Sequence, residues 1–199
     1  FINADLSEFK QIELQIKKLK PKMFFNLGAQ SFVSYSFDNP DYTDKINNAS
    51  VVNILESIRL NSPKTKFYQA STSEMYGDIK GITKKVLHEE SKFNPVSPYA
   101  ISKLSAYYYT RMYRTGYGIF ASNGILFNHE GPLRGEQFVT KKIVKGVLNF
   151  IHTGQPVYLG NIYSKRDWGD AEDYVEMMYR ILNLTKSDDF VIATGKAYS

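Results

Sequence analysis

The strongest constraint on what this chain can fold into is a rhythm. Short apolar runs, each closed by small and polar residues, alternate with long amphipathic segments. Phe9, Ile12, Ile16 and Leu19 recur at helical spacing and predict a helix from about Ser7 to Lys20. Met23-Phe24-Phe25 then reads as a strand that stops at Asn26-Leu27-Gly28-Ala29-Gln30-Ser31. A second helix fits Tyr42 to about Leu60, with Ile46, Ile54, Leu55 and Ile58 on one face. The run Lys66-Phe67-Tyr68-Gln69-Ala70 is a second strand, meeting Ser71-Thr72-Ser73-Glu74. Ser97-Pro98 opens a third helix, because serine caps the free N–H groups and proline suits the first turn; Gly116 is its expected stop. Ile119 to Phe127 reads as a buried strand ending at Asn128-His129-Glu130-Gly131-Pro132. Helices are predicted near Gln137–His152 and Asp170–Leu184, and a last strand at Phe190–Thr194. Strands this short and apolar, joined through helices, predict an α/β fold: a parallel sheet covered on both faces.

Composition removes whole classes of chemistry. With no cysteine there is no disulfide scaffold, thiolate zinc site, iron–sulfur cluster or cysteine nucleophile, and no metal site is expected. No apolar run approaches the roughly twenty residues of a membrane helix, and Phe1-Ile2-Asn3-Ala4-Asp5 does not read as a signal peptide. The expectation is a soluble cytoplasmic protein with no membrane partner. The net charge of +5 is mild, and its densest run, Lys17-Lys18-Leu19-Lys20-Pro21-Lys22, falls at a helix end where cations suit the dipole. No aromatic residue interleaves that run, so no nucleic-acid partner is expected.

Three strands end in polar clusters, at Gly28–Ser31, Ser71–Glu74 and Asn128–Glu130. Such residues serve equally as helix caps, but three clusters on one rim of a parallel sheet point to a ligand site. On the third helix Tyr99 and Lys103 stand four apart and so share a face. An ammonium beside a phenol lowers its pKa and makes the tyrosine a usable base. Roughly one or two Tyr–Lys pairs at this spacing are expected by chance. A second one, Tyr76 and Lys80, falls in a loop; only Tyr99–Lys103 has a helix start directly ahead of it.

Ser71-Thr72-Ser73-Glu74-Met75-Tyr76-Gly77 followed by Ser97-Pro98-Tyr99-Ala100-Ile101-Ser102-Lys103 resembles the extended short-chain dehydrogenase/reductase superfamily. Four longer blocks resemble, more narrowly, the GDP-mannose 4,6-dehydratase family: Asn26–Ser31, Phe67–Glu74, Asn123–Glu130 and Lys165-Arg166-Asp167-Trp168-Gly169. The resemblance implies a Rossmann-like, doubly wound parallel sheet of the extended type, with part of a small substrate-binding domain. On that pattern residues 1–133 and 166–195 belong to the cofactor domain, and 134–165 and 196–199 to the substrate domain. It implies catalytic roles for Thr72, Glu74, Tyr99 and Lys103, the glutamate being what elimination needs beyond the tyrosine–lysine pair. NADP is the implied cofactor, held by Asp5, Leu6, Leu27, Gly28, Ala29, Gln30, Ser31, Tyr42, Lys103, His129 and Arg134. A GDP-sugar would be held by Ser73, Asn128, Val139, Lys142 and Arg166, the last through two parallel bonds to a diphosphate. His129 could instead be a hydrogen-bonded strand-end histidine, and Arg166 a surface partner of Asp167.

The chain also departs from that family. It has no glycine-rich phosphate loop, begins near the family's third strand and stops at Tyr198-Ser199. The expectation is a central fragment that binds cofactor poorly by itself, from an enzyme that is a homodimer or homotetramer at full length. Phe32 stands where the family commonly has histidine, and the stretch Asp78–Phe93 is longer than usual. The sugar could be mannose or a close relative such as manno-heptose. A nucleotide-sugar epimerase, another nucleoside-diphosphate-sugar dehydratase and an inactive binding protein of the same fold are the alternatives.

Overall fold

A computed structural model describes residues 1–77 and 86–199. Lys80 of the second Tyr–Lys pair, and much of the lengthened stretch after Gly77, lie outside the described residues.

Helix α1 (Phe9–Leu19) ends where Lys20 turns left-handed, at φ 44, and donates its N–H to the Ile16 carbonyl. Strand β1 (Met23–Asn26) follows. Next come two short helices, α2 (Val33–Asp38) and α3 (Pro40–Asp44), a π-helical turn (Lys45–Ala49) and α4 (Ser50–Asn61). The helix expected over 42–60 is therefore one run interrupted by a π turn. Its predicted face is right: Ile46, Ile54, Leu55 and Ile58 are all buried.

Strand β2 (Lys66–Thr72) lies between β1 and β3 (Ala121–Leu126), and β6 (Asp189–Ile192) completes the sheet in the order β1-β2-β3-β6, every pair parallel. Between β2 and β3 runs α5 (Pro98–Tyr117). The sheet is covered on both faces. Phe67 packs with Ile16, Val51, Ile54, Leu55 and Ile58 beneath α1, α4 and α5, whereas its neighbour Tyr68 packs with Tyr174, Met178 and Ile181 of α7 (Ala171–Asn183). Successive side chains of a strand face opposite ways, so a strand buried on both sides must be apolar throughout rather than alternating. Tyr68 also sets a demand on its neighbour strand: a Cβ at Gly124 would overlap the Tyr68 hydroxyl.

Three sequence expectations needed correction. Helix α5 does not stop at Gly116 but continues to Tyr117, and Gly118, at φ 68, caps it with its N–H on the Tyr113 carbonyl. The ring of Tyr117 lies 4.9 Å from that of Tyr113 with the Arg59 guanidinium over it, contacts that carry the helix past Gly116. The buried strand ends at Leu126, and a second sheet begins with β4 (Asn128–Glu130), which pairs with β5 (Arg166–Asp170) and through it with β7 (Ala197–Tyr198). Finally the helix expected near Gln137–His152 begins two residues later: α6 (Val139–Thr153) has no buried residue. Among the described residues no helix is long and apolar enough to cross a membrane.

Candidate active site

The register of the parallel strands puts the ends of β1, β2 and β3 on one rim, with Asn26 opposite Gln69 and Thr72 opposite Leu126. Thr72 closes β2 and caps a 3-10 turn (Ser73–Tyr76): its Oγ1 accepts the Glu74 N–H at 3.2 Å. Backbone geometry thereby throws the half-buried Glu74 side chain onto the rim. Facing it is the first turn of α5. Ser97 Oγ accepts the Ala100 N–H at 3.1 Å, so the predicted cap is formed. The Tyr99 N–H donates to the buried Ser36 Oγ of α2 at 3.2 Å, and Ser36 in turn donates to the Val33 carbonyl. Tyr99 is thus fixed both by its own helix and by the segment that follows β1.

The Thr72 side chain and the charges of Glu74 and Arg134 all reach the Tyr99 phenol. Burial pushes Tyr99 up to about 12; Thr72 and Arg134 pull it down, and Glu74 pushes it further up. This corrects the expected depression by Lys103. The ammonium is 6.0 Å from the centre of the tyrosine ring and donates to the Ala70 carbonyl at 3.0 Å. Desolvation brings Lys103 down to about 8. The structure therefore brings Thr72, Glu74, Tyr99, Lys103 and Arg134 together around one buried phenol. Gln69 escaped sequence reasoning: its side chain bridges Asn26 and the same Ala70 carbonyl that holds Lys103.

Beside this cluster runs the arc after β1. A Cβ at Gly28 would come 2.6 Å from Leu6 Cδ1, so the Asp5–Leu6 turn lies directly on this loop. Asp5 accepts the Ser7 N–H at 2.8 Å, which holds its carboxyl below its usual range. Gln30 is clasped from below: its N–H donates to Asn47 Oδ1, its carbonyl accepts Asn47 Nδ2, and its own amide reaches Thr43. Asn47 lies in the π turn, whose shifted register no helical periodicity would reveal. Leu27, Gly28, Ser31 and Tyr42 remain exposed and Ala29 is half-buried, which leaves an open arc for an elongated ligand.

The other candidates are placed less closely. His129 Nδ1 donates to the Phe127 carbonyl, 2.9 Å away, and the ring stacks on Tyr174 with ring centres 4.8 Å apart, so one ring nitrogen already has a strand-end role. Arg134 lies 3.1 Å from Glu130, close but not aligned as a hydrogen bond, and its guanidinium covers Phe138 at 3.6 Å. Asn128 opens β4 half-buried, and Ser73 is half-buried beside Glu74. Val139 and Lys142 on α6 and Arg166 on β5 are exposed. Arg166 does not pair with Asp167, whose carboxylate is buried and accepts the N–H groups of Thr194 and Gly195 and the Thr194 hydroxyl.

A tyrosine and lysine four apart at the start of a helix, facing the carboxyl end of a parallel sheet, place this fold among the extended short-chain dehydrogenases/reductases. Among solved structures it superposes on RMD from Pseudomonas aeruginosa, complexed with NADPH, with a TM-score of 0.87 at 23% identity, covering 99% of this chain and 68% of that one. DesIV from Streptomyces venezuelae, a dTDP-glucose 4,6-dehydratase with NAD and TYD bound, gives 0.88 at 20% identity, over 100% and 59%.

The chain belongs to the GDP-mannose 4,6-dehydratase family, whose sequence profile matches residues 1–199. It is 46% identical over 196 residues to the GDP-mannose 4,6-dehydratase of Yersinia enterocolitica, covering 97% of this chain and 52% of that protein. Against the Dictyostelium discoideum enzyme it is 45% identical over 200 residues, covering 98% and 55%. The chain thus spans about half the length of the curated relatives it matches.

Proposed function

We propose that this protein acts in the dehydration of a GDP-sugar, GDP-mannose or a close relative such as GDP-manno-heptose, to the 4-keto-6-deoxy sugar. The observation that carries the reading is the convergence on Thr72: its hydroxyl accepts the Glu74 N–H and its side chain stands against the Tyr99 phenol, so a base and a carboxylate flank one point. An epimerase needs the tyrosine and lysine alone; a second acid/base beside them suits elimination.

The arc Leu27–Ser31 with Asp5, Leu6, Tyr42, Lys103, His129 and Arg134 would hold a nicotinamide cofactor, NADP on the family resemblance. That group, when bound, takes hydride from C4 of the sugar and returns it to C6. Tyr99 removes the O4 proton while Thr72 holds O4. A phenol is protonated at neutral pH and burial strengthens that, so this step needs positive charge: Arg134 already draws Tyr99 down, and Lys103, 6.0 Å from the ring centre, would have to turn from the Ala70 carbonyl to add to it. The 4-ketone acidifies C5–H, whose proton Glu74 removes; Glu74 then protonates the departing 6-hydroxyl as water. Reprotonation at C5 balances the proton taken at O4, and the net change is loss of one water. Ser73, Asn128, Val139, Lys142 and Arg166 would bind the GDP-sugar. Division into a cofactor unit (1–133, 166–195) and part of a substrate unit (134–165, 196–199), and a dimer or tetramer in the cytoplasm, belong to the same proposal.

The test is to incubate the full-length protein with GDP-mannose and NADP and to assay a 4-keto product. Glu74→Gln should slow water loss by about 10²–10⁴-fold while C4 oxidation continues. Dehydration at the native rate in that variant would remove Glu74 from the scheme.

A further inference from the structure

Glu74 has to be held as well as present, and the turn that carries it is fastened from outside the cluster. Among the described residues β6 is an edge strand of its sheet, and its Val191 N–H points away from β3. An edge N–H that is half-buried costs free energy unless it is paired. Here the Glu89 carboxylate accepts it at 2.7 Å. One residue earlier the His88 carbonyl accepts the Tyr76 hydroxyl at 2.9 Å. Five residues after Glu89, the Asn94 N–H donates to the Met75 carbonyl at 3.0 Å, and between them Phe93 stacks on Tyr76 with ring centres 5.0 Å apart. The segment from His88 to Asn94 is therefore a strap. One carboxylate ties it to the sheet edge, and two hydrogen bonds and a ring stack tie it to the residues directly after Glu74.

We infer that Glu89 is a positioning residue for Glu74: through the strap it fixes the 3-10 turn against β6 and so sets where the elimination carboxylate stands. The inference rests on the dehydratase reading given above. Tyr99, Lys103 and Thr72 have ties of their own, to Ser36, to the Ala70 carbonyl and within β2, although Phe93 of the strap also packs on Tyr107 and Tyr108 of α5. Glu89 therefore acts first on elimination, whereas the groups of C4 oxidation keep those separate ties.

The experiment compares Glu89→Ala, Glu89→Gln and Tyr76→Phe in the full-length protein with GDP-mannose and NADP. Glu89→Ala should lower kcat for dehydration about ten- to a hundredfold, as a small misplacement of a catalytic group does, with KM within about twofold. Reduced cofactor absorbing near 340 nm should accumulate, because the step after oxidation is the one slowed. Glu89→Gln keeps an acceptor oxygen and should restore turnover, and Tyr76→Phe, which cuts the second tie, should show the same accumulation as Glu89→Ala. Unchanged turnover in both Glu89→Ala and Tyr76→Phe would overturn the proposal, as would equal loss of oxidation and elimination. Hydrogen exchange tests the strap without substrate: Glu89→Ala should deprotect residues 73–76 together with Val191. Protection of 73–76 that stays native would overturn the proposal even if the sugar assignment were wrong.

Discussion

Helices α5 and α6 both carry apolar residues at helical spacing, yet eight side chains of α5 are buried and none of α6. The difference lies in what surrounds them. Both end at a left-handed glycine, Gly118 and Gly154, but helix α5 alone has a side-chain cap, from Ser97, and a polar network at its far half. There Asp189, at the start of β6, accepts from Arg114 at 2.8 and 3.0 Å, from Asn123 at 2.8 Å and from Tyr107 at 3.1 Å. Helix α6 presents Val144, Val147, Leu148, Phe150 and Ile151 to the surface. Amphipathicity is a property of a helix; burial belongs to the pair it makes. The candidate site residues inherit that distinction, so Tyr99 and Lys103 on α5 have one geometry, whereas Val139 and Lys142 on α6 have only an address.

Substitutions can sharpen the contrast. The largest effect should come from Asp189→Ala, which leaves the nearly buried Arg114 with only the Ala121 carbonyl and the Asp188 carboxylate, 3.9 Å away. Breaking a buried pair in this way costs about 3–5 kcal/mol, measurable by urea unfolding. A loss under about 1 kcal/mol would mean that the network does not anchor α5.

Next comes the pH profile of Lys103. Its folded pKa of about 8 lies below the ordinary 10.5, so between those values the unfolded chain binds more protons than the folded one. Stability should therefore rise with pH from about 8 to 10, by at most about 1.4 kcal/mol per pH unit. Above pH 10 the buried phenols, Tyr99 among them, carry raised pKa values and reverse the trend. Lys103→Met should lack the rise; the same rise in that variant would assign it to another group.

A smaller effect is expected from Ser97→Ala, which uncaps α5 and should cost about 1 kcal/mol in the same unfolding experiment. The smallest belongs to α6, where Val147→Asn should change stability by less than about 0.5 kcal/mol, as surface substitutions do. A cost of several kcal/mol there would erase the distinction between the two helices.

What could be read in advance was whatever depends on neighbours in sequence. Ser97 as a cap, the inward face of Ile46, Ile54, Leu55 and Ile58, and the run Lys66–Ala70 all follow from local spacing, and they suffice for the α/β class. The four-residue spacing of Tyr99 and Lys103 likewise put both on one face. It could not tell that the Ala70 carbonyl draws the ammonium aside, because that carbonyl is 33 residues away. The second sheet was hidden for a similar reason. Arg-Asp-Trp-Gly-Asp has no apolar alternation, and the bonds from Asp167 to Thr194 and Gly195 reach across 27 and 28 residues. Gly116 was the expected stop of α5, and the Tyr113 ring and the distant Arg59 guanidinium, both against Tyr117, carry the helix past it. The Asn47 clasp on Gln30 depends on a π turn that a period of 3.6 misplaces by one residue.

The close fit of Tyr68 over Gly124 has an evolutionary consequence. Any descendant that acquires a side chain at position 124 has to move or replace the whole aromatic ring at position 68, not its hydroxyl alone, so the two sites can drift only in concert. In an alignment of relatives they should vary as a pair, even though neither touches the reacting groups.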